Sequence, residues 1–519
     1  MTRPQSYLAG CWVTGQGRPE LLLNPATEEP LAEVSSESLD RRAALEFARD
    51  RGGPALRAMS FGERGALLKA MCEALQAHRE ELIELAVRNG GNTRSDAKFD
   101  IDGATFTLSA YAELGKSLGE ARLLADGEGV QLGRTPRFHG QHIRVPRHGV
   151  AVHINAFNFP AWGLAEKAAV ALLAGMPVLT KPATSSALVA HRMLELLVEQ
   201  NAVPEGTLSL LLGPAGDLLS HLGPQDVLAF TGSSTTGALI RAMPAVIRNS
   251  VRVNVEADSL NAAVLGPDAE AGSEIYDYFL KDVLRDMTQK AGQKCTAIRR
   301  VLVPQPLAER LRDDLSDRLS AVVVGNPAAE GVRMGPVATA QQRQDVRQGI
   351  DVLARDGRLV FGNAALEPVG APEGKGFFVS PVLLEVELGA EAPMVHSREV
   401  FGPAATIVPY SGRPEEAAAI VARGQGGLVS SVYSEDVAFT SAVALAMAPF
   451  HGRVFLGSAK IAEQSPGPGT VLPALVHGGP GRAGGGEELG GARGLDFYMQ
   501  RVALEGSRPV IDRITGARS

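Results

Sequence analysis

Gly149-Val150-Ala151-Val152-His153-Ile154 is a short, largely apolar run, and Pro177-Val178-Leu179-Thr180 repeats its texture after an Ala-rich stretch at residues 166–174. Apolar runs of this length next to Gly or Pro read as buried strands. The Ala-rich stretch, closed by Gly175, reads as the helix that joins them. The series continues with a helix over 187–199 and strands over 208–212, 227–230 and 251–255. Strands alternating with helices predict an α/β protein built on a parallel, doubly wound sheet. A second series begins after Cys295, with a strand over 300–303, helices over 306–321 and 341–355, and strands over 404–408 and 429–433, which predicts a second α/β unit. Residues 40–119 read as largely helical: apolar residues recur at three and four from Arg64 to Val87, and Asn89-Gly90-Gly91 follows as a stop signal. Residues 478–494 hold nine glycines and read as a loop. Within them Gly479-Pro480-Gly481-Arg482-Ala483-Gly484 matches G-x-G-x-x-G, but Pro480 and the surrounding glycines argue against a phosphate-binding turn.

A chain of 519 residues exceeds one ordinary core and predicts two or three folded units. With 45% hydrophobic and 21% charged residues it has the composition of a soluble globular protein. The net charge of -7 and the lack of a long basic block speak against nucleic acid as a partner. Met1-Thr2-Arg3-Pro4-Gln5-Ser6 leads into no apolar stretch of the secretory kind. Apolar stretches such as 168–174 are broken by Gly175 and Pro177, well short of the about 20 residues that cross a bilayer, so no membrane partner is expected. Cys11, Cys72 and Cys295 are too few and too scattered for a disulfide framework or a metal site; a cytoplasmic, metal-free protein is the expectation.

Two residues carry chemistry. Cys295 stands in Gly292-Gln293-Lys294-Cys295-Thr296, a short loop, and Glu256 closes the alternating run Val251-Arg252-Val253-Asn254-Val255-Glu256. A thiol and a carboxylate so placed are what covalent aldehyde oxidation needs: the thiolate adds to the carbonyl, a hydride leaves, and a base activates the water that cuts the thioester.

With these residues the chain resembles the NAD(P)-dependent aldehyde dehydrogenases over nearly its whole length. Ala156-Phe157-Asn158-Phe159-Pro160, Lys181-Pro182-Ala183, Phe230-Thr231-Gly232-Ser233, Glu256, Gly292-Gln293-Lys294-Cys295 and Glu399-Val400-Phe401-Gly402-Pro403 follow in the family's order. The resemblance implies Cys295 as nucleophile, Glu256 as general base and Asn158 as oxyanion donor beside the Cys295 backbone N–H. It implies Lys167 and Glu488 as a proton relay, against a plainer reading as two solvated charges. It further implies Phe157, Lys181, Thr184, Gly232, Ser233, Glu399 and Phe401 as cofactor contacts. Where NAD-preferring relatives often carry a ribose-binding glutamate, three residues after the lysine, this chain has Thr184, then Ser185 and Ser186. Hydroxyls can donate hydrogen bonds to a 2′-phosphate that a carboxylate repels, so NADP is expected, with NAD weaker. The family's usual Glu-Leu-Gly-Gly-Lys reads Glu256-Ala257-Asp258-Ser259-Leu260 here, which keeps the carboxylate and loses the glycines.

The run from His477 to Glu488, and Tyr498-Met499-Gln500-Arg501, resemble one branch of the family. It includes the dehydrogenase half of the phenylacetate ring-opening enzyme and stand-alone enzymes that oxidise 3,4-dehydroadipyl-CoA semialdehyde in aerobic benzoyl-CoA breakdown. The chain ends at Ser519 and is expected to lack that relative's hydratase domain. The resemblance implies a Rossmann-like coenzyme domain (1–129 and 149–258), a catalytic domain (259–475) and a β oligomerisation arm (130–148 and 495–510) that makes at least a homodimer. Three readings compete: a CoA-acylating dehydrogenase, disfavoured by retention of Glu256; a hydrolytic dehydrogenase of a simple aldehyde not linked to CoA; and a non-catalytic binding protein, disfavoured by retention of both Cys295 and Glu256.

Overall fold

The computed structural model describes residues 2–362, 366–387 and 391–516. Its first sheet places the strands Arg252–Glu256, Val227–Thr231, Ala151–Ile154, Val178–Lys181 and Leu208–Leu210 side by side and parallel. Chain order reverses between Ala151–Ile154 and Val227–Thr231. Their carboxyl ends flank the crevice where open α/β sheets hold ligands. The expected parallel sheet is extended by an antiparallel hairpin, Ser6–Leu8 with Cys11–Val13, which pairs through Tyr7 with Leu210. Its two-residue turn, Ala9-Gly10, has φ of 49° and 76°, the positive values that a tight hairpin requires.

Beneath this sheet pack the helices Phe61–Ala77, Arg94–Leu118 and Trp162–Ala174. The last is buried on nearly every side, and its alanines let neighbours approach closely; Gly175, at φ 91°, ends it.

The second sheet has the order Arg358–Phe361, Val382–Glu385, Ala404–Tyr410, Arg300–Pro304, Ala262–Leu265, Gly427–Tyr433, His451–Gly457, parallel except at its first strand. Period-two alternation divides its side chains between two cores. Ala262, Val264 and Leu302 face one, and Ala263, Leu265, Val301 and Val303 the other.

A third sheet joins Leu124–Gln131, Phe138–Pro146 and Met499–Ser507, with Ile143 opposite Val502. Among the described residues no helix is long and apolar enough to cross a membrane.

The glycine-rich region departs from the expected loop. Val476–Gly479 and Gly486–Leu489 form an antiparallel hairpin with His477 opposite Glu488. Its glycines serve close approach: a Cβ on Gly478 would stand 2.0 Å from the Gly486 carbonyl oxygen. The hairpin docks on the strand that ends in Glu256, where Ala257 N–H donates to the Ala483 carbonyl (3.0 Å) and Glu487 N–H to Asn254 Oδ1 (2.9 Å).

Candidate active site

The Cys295 loop is held from several sides. Helix Glu274–Thr288 ends in a turn where Lys290, Ala291 and Gly292 all have positive φ (53°, 52° and 68°). The Lys290 N–H donates to Asp96 Oδ2 at 3.1 Å, and Asn261 Nδ2 donates to the Cys295 and Ala297 carbonyls at 2.8 and 2.9 Å. Arg299 donates to the Gly292 and Lys294 carbonyls. Gly292 leaves no room for a side chain, since a Cβ would lie 2.2 Å from the Gly402 carbonyl oxygen. Gly292→Ala is therefore expected to cost about 1–3 kcal/mol of stability and to lower kcat, because the left-handed backbone and the collision both displace the thiol. A thermal melt and a steady-state assay that both match wild type would show that the loop absorbs the methyl group.

Glu256 ends its strand 2% exposed and faces Cys295 across a small chamber of about 40 Å³. Phe99, Phe159 and Trp162, in edge contact with ring centroids 5.3–6.0 Å apart, form its apolar wall. Asn158 also lines the chamber; its Nδ2 donates to the Gln293 carbonyl at 3.0 Å, which leaves its second N–H for the pocket. The sequence reading gives His477 no role, yet its Nε2 lies 3.0 Å from Glu256 Oε1 and 3.9 Å from Cys295 Sγ. Burial pushes the Cys295 thiol well above its usual range and the Glu256 carboxylate adds to the push, so the resting side chain is a thiol. Burial acts upward on Glu256 as well, but His477 and Lys167 outweigh it and hold its pKa at about 2.

Lys167 and Glu488 are not solvated charges; burial excludes that reading. The Lys167 Nζ, from helix Trp162–Ala174, sits 3.0 Å from Glu166 Oε1 and 3.1 Å from Glu488 Oε2, and both partners are buried. Burial works against the Lys167 charge, yet Glu488, Glu166 and Glu256 together raise its pKa. Burial raises Glu488 to about 7 against the pull of Lys167, and Asn254 Nδ2 donates to its Oε1 at 3.1 Å.

Cys295, Asn158, Thr231 and Glu256 also border a second cavity of about 580 Å³, lined by Phe157, Gly232, Ser233, Glu399 and Phe401. Its features fit a nicotinamide nucleotide. Helix Ser234–Arg241 opens beside it, capped by Ser233. Glu399 Oε2 accepts from the Ser259 N–H at 3.1 Å, while its buried Oε1 faces Arg299 at 3.6 Å and has no donor at hydrogen-bond distance among the described residues, which suits a ribose hydroxyl. Burial raises Glu399 to about 7, opposed by Arg299. Phe157 and Phe401 meet edge to face at 5.8 Å.

The changed segment after Glu256 has a visible consequence: Asp258 accepts from the Ser234 N–H (3.0 Å) and its hydroxyl, occupying part of the helix N-terminus. Lys181 and Thr184 do not line this cavity. Lys181 ends strand Val178–Lys181, and Thr184 opens a short turn pinned by Asn89, whose Nδ2 donates to the Ser185 carbonyl at 2.8 Å. Burial lowers the Lys181 pKa, and the Glu20 carboxylate, which the sequence reading did not single out, partly offsets this.

Comparison with known proteins shows the family. The aldehyde dehydrogenase family model matches residues 12–503. The chain is 48% identical over 92% of its length, and 92% of the relative's, to the 3,4-dehydroadipyl-CoA semialdehyde dehydrogenase of Aromatoleum evansii. It is 28% identical to the non-phosphorylating aspartate-semialdehyde dehydrogenase of Halomonas elongata over 96% of this chain and 94% of that one. The betaine aldehyde dehydrogenase of Staphylococcus aureus, solved with NAD+, superimposes with a TM-score of 0.82 over 99% of this chain and 96% of its own, at 23% identity. A thiol and a carboxylate facing each other beside a nucleotide-sized cavity, in a chain matched almost end to end, leave one assignment: the protein belongs to the aldehyde dehydrogenase family and is an NAD(P)-dependent oxidoreductase acting on aldehydes.

Proposed function

We propose that the chain oxidises a CoA-linked semialdehyde, 3,4-dehydroadipyl-CoA semialdehyde or a close homologue, to the carboxylic acid, with NADP preferred over NAD. The observation that carries the substrate is the 48% identity with the Aromatoleum evansii enzyme over 92% of both chains. Cys295, partly open to the larger cavity, gives its thiol proton to solvent, and the thiolate Sγ adds to the aldehyde carbonyl. The second N–H of Asn158 and the Cys295 backbone N–H hold the resulting alkoxide. A bound nicotinamide nucleotide would supply the hydride acceptor, and loss of the hydride from this adduct would leave a thioester on Cys295. Glu256 then takes a proton from water, the hydroxide adds to the thioester carbonyl, and the C–S bond breaks to release the acid and the thiolate. The Lys167–Glu488 pair passes that proton onward, a reading supported by their buried 3.1 Å contact. Phe157, Gly232, Ser233, Glu399 and Phe401 would hold the nucleotide's phosphates, ribose and nicotinamide end, with Lys181 and Thr184 at the adenosine ribose. A comparison of kcat/KM for the CoA-linked semialdehyde and for the free semialdehyde tests the substrate: equal values would sink the CoA assignment.

NADP preference is supported by the hydroxyls at Thr184, Ser185 and Ser186 in place of a carboxylate. Thr184→Glu is expected to weaken NADP by at least about tenfold more than NAD, since a carboxylate there repels the 2′-phosphate. Unchanged relative affinities in a binding titration would place the phosphate elsewhere.

The third sheet, with Val130, Phe138 and Val502 exposed, is proposed as the arm through which two copies pair. A folded, active monomer in sedimentation would contradict this.

A further inference from the structure

His477 lies directly opposite Glu488 across the glycine-rich hairpin, so both side chains leave the same face toward the active site. The ring is 2% exposed. Around it stand Glu256 from its strand, Cys295 from the loop, Glu166 and Lys167 from helix Trp162–Ala174, Glu488 from the facing strand and Arg453 from strand His451–Gly457.

The hydrogen bonds assign the proton. A carboxylate only accepts, so the 3.0 Å contact with Glu256 Oε1 puts the proton on Nε2. Nδ1 is buried and has no hydrogen-bond partner among the described residues. Nε2 carries one proton and gives it to the carboxylate, so it cannot also accept the thiol proton across 3.9 Å. His477 is therefore not arranged as the base of the cysteine. Its partner is Glu256, which also shares a hydrogen bond with the Cys295 thiol and whose Oε2 is approached by Thr231 Oγ1 at 3.4 Å.

We propose that His477 is the positioning residue of thioester hydrolysis: its Nε2–H holds one oxygen of Glu256, leaving the other for the attacking water once Cys295 is acylated and has no thiol proton to donate, and the charge of the ring sets how basic that carboxylate is. The proposal deepens the reading above and rests on Cys295 and Glu256 having the roles given there.

A pH dependence follows. Burial lowers the imidazole's affinity for its second proton, but Glu256 outweighs this and raises its pKa above 6.5. Below that raised value the ring is charged and keeps Glu256 a weak base. As pH rises through it, the charge is lost, the pull on Glu256 weakens, and the carboxylate takes a proton from water more readily. Deacylation in the wild-type enzyme should rise along this limb.

His477→Gln keeps a neutral N–H donor and cannot titrate. It should deacylate near the wild-type rate at high pH and lose the limb. His477→Phe fills similar space but offers no donor. Glu256 would lose its anchor, and its own pKa would move up, with Lys167 and the Cys295 thiol left to oppose burial. Deacylation should fall by about 10²-fold, the order of loss when a reacting group is displaced by about 1 Å.

The experiment is rapid mixing of the full-length enzyme with NADP and aldehyde across pH. The burst of NADPH reads attack and hydride loss, and the following steady rate reads deacylation. A full burst with slow steady turnover in His477→Phe, together with recovery at high pH and loss of the His477 limb in His477→Gln, is the expected result. Wild-type deacylation in His477→Phe, or a His477→Gln variant as slow as His477→Phe, would overturn the role of His477. Glu256→Gln serves as the control: wild-type deacylation in that variant would overturn the base assignment and this proposal with it.

Discussion

Cys295→Ala is expected to abolish aldehyde oxidation, lowering kcat by on the order of 10⁴-fold or more, while nucleotide affinity stays close to wild type. The thiol is the atom that bonds to the substrate, and no second sulfur is near: Cys72 is buried in the helical core and Cys11 lies in the N-terminal hairpin. Nucleotide binding should survive because Cys295 only borders the larger cavity, whose other walls come from the first sheet's loops and from Glu399 and Phe401. The loop itself should hold, since Asn261, Arg299 and Asn158 grip its backbone carbonyls and none of these bonds involves the sulfur. Steady-state turnover with a nucleotide titration checks both halves. Appreciable activity in the alanine variant would remove Cys295 from the nucleophile's role.

Glu256→Gln is expected to separate the two half-reactions. One NADPH per site should form in a burst and steady turnover should fall by about 10²–10⁴-fold, the usual contribution of a general base. The acyl group should then be found on Cys295 by intact-protein mass spectrometry. The electrostatics give the burst a sign. Burial and then the Glu256 carboxylate raise the thiol's pKa, so removing the negative charge increases the thiolate fraction at a given pH. If Glu256 serves only the water, the burst should be as fast as wild type or faster. A slower burst that recovers as pH rises would mean that Glu256 deprotonates the thiol. Unimpaired steady turnover with no adduct would show that it is not the base.

Much of the fold was legible because its signals are local. The buried strands at 149–154 and 177–180, with the Ala-rich helix between them, appear as Ala151–Ile154, Val178–Lys181 and Trp162–Ala174. The second series holds too, with residues 300–303 and 404–408 as neighbouring parallel strands. The glycine-rich region misled because nine glycines in a short span have the composition of a free loop. Here they permit two strands to pair closely and to pack on Val255, where a Cβ on Gly484 would meet the backbone oxygen at 2.2 Å. Lys167 and Glu488 were open to a reading as solvated charges because local sequence does not report burial. Only packing of the hairpin against helix Trp162–Ala174 places an ammonium between two carboxylates out of water.

The sequence by itself determined the fold class and the family resemblance, and it singled out Cys295, Glu256 and Asn158 as candidates. These rest on periodicity and on motifs a few residues long, and both survive in a linear reading. Tertiary structure alone decided that Cys295 is a partly buried thiol held beside a carboxylate, that Asp258 occupies part of the helix N-terminus, and that His477 binds Glu256. His477 and Glu256 are 221 residues apart, and nothing around the histidine except its place at the head of a glycine run pointed to the contact. The reason is physical: hydrogen-bond partners and charge states depend on which groups are desolvated together, and desolvation is a property of the packed molecule.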